Sequence, residues 1–148
     1  MYKMTIPEIL NELGNIKTYG ERVSFLRNNS SQPLKDVLRY IFDDNVVFPL
    51  DDLPPYKKND QPDDLADNTL FQEAKRLYIF AQPKIDQMGM VRTEQNLIPL
   101  LESVCASEAE LIGEIITNKV KRKNLTKKLV TESFPGLIPG KRVRVKTV

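Results

Sequence analysis

The sequence contains no histidine, no tryptophan and a single cysteine, Cys105. Without histidine, neither a Ser/His nor a Cys/His nucleophile pair can be assembled, and histidine- or cysteine-based zinc sites are excluded with them. One cysteine cannot close an intramolecular disulfide. Cys105 lies in an apolar helical stretch and lacks a histidine to act as its base, so it reads as a buried, inert thiol. The six glycines are scattered and form neither a P-loop nor a dinucleotide fingerprint. No run approaches the ~20 apolar residues of a membrane span, and the N-terminus lacks a basic segment followed by an apolar one. These absences point to a cytoplasmic, non-enzymatic protein with no cofactor and no metal.

What is present suits an α-helical core. The 148 residues match one domain, able to bury roughly two-thirds of the unfolded surface. Apolar residues make up 41% and charged residues 28%, an ordinary globular composition. Thr5-Ile6-Pro7-Glu8 has the form of a capping box with proline in the first turn, and Ile6, Ile9, Leu10 and Leu13 follow at helical spacing before Gly14. Val23, Phe25 and Leu26 mark a second helix from about Tyr19 to Arg27. Pro33 opens a third, with Leu34, Val37, Leu38 and Ile41 as its buried stripe.

Val46-Val47-Phe48-Pro49-Leu50 then leads into a segment with Pro54, Pro55, Pro62 and six aspartates between 51 and 67, which reads as a surface loop or linker. Asn68 or Thr69 can cap a fourth helix through Leu70, Ala74, Leu77, Tyr78 and Phe80. Thr93 can cap a fifth containing Leu97, Leu100, Leu101 and Val104, with Pro99 kinking it or marking a later start. Ser107-Glu108-Ala109-Glu110 resembles a second capping box, opening a sixth helix with Leu111, Ile112, Ile115, Ile116 and Val120 inward. A last helix carries Leu125, Leu129, Val130 and Phe134 and ends at Pro135. The expected fold is all-α, a compact bundle of about six or seven helices over residues 1–140 with a long Pro/Asp-rich surface loop. Residues 141–148 form a basic tail, with Val143, Val145 and Val148 alternating as in a short edge strand or a disordered arm.

Charge is unevenly spread. Net charge is +2, yet residues 119–148 carry ten Lys or Arg against the one acid Glu132, a local +9 that leaves −7 on the rest. Such asymmetry suggests an anionic partner for the basic end. The residues expected to meet it are Lys119, Lys121, Arg122, Lys123, Asn124, Thr126, Lys127 and Lys128 around a turn into a helix N-terminus, with Lys141 and Arg142 in the tail. The bland alternative is a solvated run of surface charge. The aspartate pairs 43–44, 51–52 and 63–64 fit no EF-hand spacing and read as solvated loop.

Ile9-Leu10-Asn11-Glu12-Leu13, Leu34-Lys35-Asp36-Val37-Leu38-Arg39-Tyr40 and above all Phe134-Pro135-Gly136-Leu137-Ile138-Pro139 resemble the N-terminal DNA-binding domain of T-even phage DNA ligases. In that family the helical domain lies against the minor groove and grips phosphates, and a nucleotidyltransferase core follows it. The resemblance implies a free-standing, phage-encoded relative of the DNA-binding domain without the core. Where the ligases carry paired arginines, an acid and a glycine, this sequence has Asn118-Lys119-Val120-Lys121-Arg122-Lys123 and then Asn124, the residue best able to replace glycine in a left-handed turn. Lys84-Ile85-Asp86-Gln87 is similar to the lysine motif of nucleotidyltransferases, but lacks its glycine and reads as chance.

The expected function is therefore non-catalytic binding of a monomer to the backbone of double-stranded DNA. It should be sequence-tolerant, because no Asn, Gln or Arg constellation suggests base readout, and salt-sensitive through five or six phosphate contacts. A protein-interaction module that engages a host or replication protein through its acidic or apolar surface is the rival reading.

Overall fold

Thr5 opens the first helix as its sequence predicts. The Thr5 hydroxyl accepts from the Glu8 amide and the Glu8 carboxylate accepts from the Thr5 amide at 2.8 Å, closing the capping box. In the computed structural model, which describes residues 4–59 and 65–138, the helices are α1 (Ile6–Leu13), α2 (Tyr19–Asn28), α3 (Gln32–Phe42), α4 (Leu70–Glu73), α5 (Lys84–Ser103), α6 (Ala106–Ile116) and α7 (Lys127–Ser133). No strand occurs among the described residues. The fold is all-α; the tail and Pro139 fall outside the described residues.

The core forms where the helical stripes meet. Ile6, Ile9, Leu10 and Leu13 of α1 and Leu34, Val37 and Leu38 of α3 face Leu111, Ile112, Ile115 and Ile116 of α6, all buried. At roughly 1.5–3 kcal/mol for each fully buried aliphatic side chain, this face is the main source of stability. Helix α7 packs on α2, far away in sequence. Arg27 ties them by donating to the Ser133 and Glu132 carbonyls, both at 3.0 Å.

Several boundaries differ from the sequence reading. The fourth helix makes one α turn, capped by Thr69 with Gln72, and continues as a 3-10 segment, Ala74–Phe80. Its buried residues Ala74, Leu77 and Phe80 recur every third position, the 3-10 period, and Tyr78 is left exposed. Helix α5 starts at Lys84, not at Thr93, and breaks at Gly89, whose φ of 80° and ψ of 165° suit glycine alone. Thr93 is buried and its hydroxyl donates to the Gly89 carbonyl at 2.7 Å, while Pro99 lies ten residues past the break. Ser107 does not cap α6. The chain leaves extended backbone at Cys105, which is buried, and the helix begins at Ala106.

The Pro/Asp-rich segment is anchored at its start. Asp51, Asp52, Lys57 and Lys58 are exposed, but Phe48 is buried and meets Tyr40 edge-on at 5.9 Å, and Leu53 covers Gly113 of α6. Pro62 and the aspartates at 60, 63 and 64 lie outside the described residues.

Tyr40 gives this region a measurable pH signature. Burial, reinforced by the Asp36 carboxylate and opposed by Arg39, pushes its phenol from 10.0 up to about 12. The folded form keeps the proton where the unfolded chain releases it, so stability is complete below about pH 10 and falls as pH rises towards about 12. Urea midpoints of the parent should drop between about pH 9 and about pH 11 more steeply than those of Tyr40→Phe. Equal slopes would show that Tyr40 is not buried as described.

Candidate nucleic-acid interface

The basic turn, residues 117–126, is held in place by its own polar side chains. The Thr117 hydroxyl donates to the Gly113 carbonyl at 2.7 Å and ends α6. Asn118, at φ 60°, donates its amide to the Phe48 carbonyl at 2.6 Å, and the Lys119 ammonium reaches the Asp51 carbonyl at 3.1 Å. Asn124 adopts the left-handed conformation expected of a glycine substitute, at φ 68°. Its Nδ2 points at the carbonyls of Leu13, Gly14 and Ile16 at 3.1–3.3 Å, adding a donor at the end of α1, where Leu13 O also accepts from Ile16 N and Ile16 O from Arg22.

Arg122 is committed inward. Its guanidinium donates to Glu114 Oε1 at 2.8 Å and to Asn11 Oδ1 at 2.9 Å, and only 15% of its side chain is exposed. Losing Glu114 would leave a part-buried charge without its counter-ion, which costs on the order of 1–3 kcal/mol. Arg122 and Asn124 therefore build the turn, and the same holds for Thr126, whose hydroxyl caps α7 by accepting from Leu129 N.

The cations left for solvent are fewer than the sequence suggested. Lys121 and Lys123 are exposed and have no hydrogen-bond or ion-pair partner among the described residues. Lys127 makes a 3.4 Å pair with the largely exposed Asp44, a contact that water and salt screen heavily. The Lys128 ammonium lies 5.6 Å above the Tyr19 ring, a cation–π arrangement. Tyr19 in turn donates its hydroxyl to Glu132 at 2.8 Å, and its phenol is raised above the usual value by desolvation first and by Glu132 second. Lys141 and Arg142 lie outside the described residues.

One member of the patch was invisible in the sequence. Lys17 is exposed in the link between α1 and α2, next to Ile16, whose carbonyl accepts from both Asn124 and Arg22. Tyr19, beneath Lys128, is two residues further on. Lys17 therefore stands beside the turn that carries Lys121 and Lys123, and Lys128 lies over the same link at Tyr19, although Lys17 is about a hundred residues from the others in the chain. Acids stand among them as well. Glu12 accepts from Asn15 and Glu21 from Thr18, so neither side chain reaches across to a lysine.

Helix α7 has seven residues, and one of its first amides is already bonded to Thr126. It is too short to offer a strong anion site of its own, so side-chain ammonium groups dominate the electrostatics here. Among the described residues no three acidic or cysteine side chains converge as a metal site, and no helix is long and apolar enough to cross a membrane. No curated protein matches the chain. Residues 9–127, from α1 through the basic turn to the first residue of α7, match a family of unknown function (DUF6433), and the chain belongs to that family.

Proposed function

We propose that this protein is a non-catalytic module that binds the phosphate backbone of double-stranded DNA through the basic turn. The observation that carries the reading is the set of exposed lysines, Lys121 and Lys123 on the turn and Lys17 and Lys128 beside it, where the turn's other polar residues are engaged in fixing its backbone. Exposed ammonium groups on a backbone pinned by its own side chains suit phosphate oxygens, which carry no sequence information. The resemblance of Phe134-Pro135-Gly136-Leu137-Ile138-Pro139 to the phage ligase DNA-binding domain supports the same reading.

Three or four phosphates contacted by this patch give a log–log salt slope near −3, since each contact contributes about −0.9. Fluorescence anisotropy with a short duplex at two salt concentrations tests it. The combined change Lys121→Ala, Lys123→Ala and Lys128→Ala should weaken low-salt binding at least about tenfold and bring the slope to about −1, for all duplex sequences alike. Lys57→Ala with Lys58→Ala, outside the patch, should change neither. Arg122 is left intact because its loss would loosen the turn itself. Absence of duplex binding by the parent at low salt, or equal binding by both variants, would end this reading.

A further inference from the structure

The molecule carries a groove of opposite character to the basic turn. Residues 49–54 run beside α5 and leave two adjoining depressions of about 330 and 300 Å³, which share Leu50, Met90 and Thr93. Ile85 lines the first, and Leu53 and Leu97 the second. Met90 lines both and is 65% exposed, directly after the Gly89 break in α5. A large apolar side chain at a concave, two-pocket surface marks a place where another apolar group is accepted.

Among the described residues, every charged one lining the two depressions is acidic: Asp86 at the first, and Asp51, Asp52 and Glu94 at the second. Asp52 accepts from the Leu53 amide at 2.9 Å and keeps its second carboxylate oxygen for other partners. Lys119 reaches this region only at the Asp51 carbonyl, from outside the lining.

We propose that the groove docks an extended, basic segment of a partner protein in which apolar residues alternate with arginine or lysine. The acidic rim sets the sign of the partner's charge, and like-charged or acidic segments are repelled. In an extended chain, residues two apart project to the same side about 7 Å from each other. One apolar side chain enters each depression; the cations between them leave the strand on its opposite face, and their long, flexible chains bend round its edges to reach the carboxylates at the rim. None of Lys17, Lys121, Lys123 or Lys128 lines the groove, so this site and the basic turn stand or fall separately.

The test is a titration of the full chain into a short fluorescein-labelled peptide of Arg-Val repeats, with Arg-Ser and Glu-Val repeats as controls. Saturable binding of Arg-Val is expected, with at least about tenfold weaker binding of Arg-Ser and none of Glu-Val. Asp86→Lys with Glu94→Lys should weaken the Arg-Val complex at least about tenfold, and so should the charge-neutral Met90→Ser, each with an unchanged circular-dichroism spectrum. Lys121→Ala, Lys123→Ala and Lys128→Ala should leave it as it is. The proposal is overturned by equal affinity for Arg-Val and Arg-Ser, by indifference to both groove variants, or by no binding at all. Dimerisation abolished by Met90→Ser, without peptide binding, would overturn it in favour of a second copy of this chain.

Discussion

Phe48→Ala should destabilise the protein by about 3–5 kcal/mol, the range for truncating a buried aromatic side chain. Phe48 is only 2% exposed although it lies in a segment without regular structure. Its ring meets Tyr40 edge-on, its carbonyl accepts from Asn118, and the neighbouring Val47 carbonyl accepts from Gln82 N at 2.8 Å. Removing the ring opens a cavity between α3 and the segment and loosens the acceptor that Asn118 relies on. Urea unfolding followed by circular dichroism measures the loss, with Val47→Ala, exposed next door, expected to stay within about 0.5 kcal/mol. If Phe48→Ala cost under about 1 kcal/mol, the segment would not be docked on the core in solution.

Substitutions at Asn124 should separate backbone conformation from hydrogen bonding. Asn124→Gly keeps the positive φ and loses the amide donor, an expected cost of about 1–2 kcal/mol. Asn124→Ala adds the strain of a side chain in the left-handed region, for about 2–4 kcal/mol in all. Asn124→Asp should be the worst of the three, because it aims a carboxylate at the Leu13, Gly14 and Ile16 carbonyls. Thermal melts of the three variants check the order. A tolerated aspartate would mean that the amide does not bind those carbonyls.

Helices α1 and α3 were legible in the sequence because a proline in the first turn and the apolar stripe after it agree, with the Thr5 cap in α1 and, in the structure, a Ser31 cap on α3. The second, sixth and last helices also fall within a few residues of their expected places, and boundaries slipped where one signal stood alone. Ser107-Glu108-Ala109-Glu110 has capping-box chemistry, but tertiary packing starts the helix at Ala106 and buries Glu108. The three-residue rhythm of Ala74, Leu77 and Phe80 was present, yet a 3.6-residue template also accommodates it. Gly89 hid a helix on each side of itself, since a glycine in a polar stretch resembles a terminus. Phe48 was lost among prolines and aspartates because no periodic element surrounds it, and the Asn118 amide that holds its carbonyl comes from the turn after α6, 70 residues away.

For the basic turn, the excess of charge was readable and its allocation was not. Nothing local says that Arg122 belongs to Glu114 and Asn11, the latter 111 residues away, or that Lys123 packs beside Gly14. Which cations face solvent is decided by long-range contacts. A one-dimensional charge count therefore overstates the number of cations the turn leaves to solvent.

The clasp between α2 and α7 bears on how the chain acquires its fold as it is made. Arg27 and its acceptor at Ser133 are 106 residues apart, so at ~5–20 residues per second a ribosome delivers the second roughly 5–20 s after the first. Local helices form in about a microsecond. Over that whole interval Leu26 and its apolar neighbours Val23 and Phe25 have no α7 to cover them. The nascent protein passes through a long-lived, half-covered stage, and that stage is where a chaperone or an aggregation partner gains access.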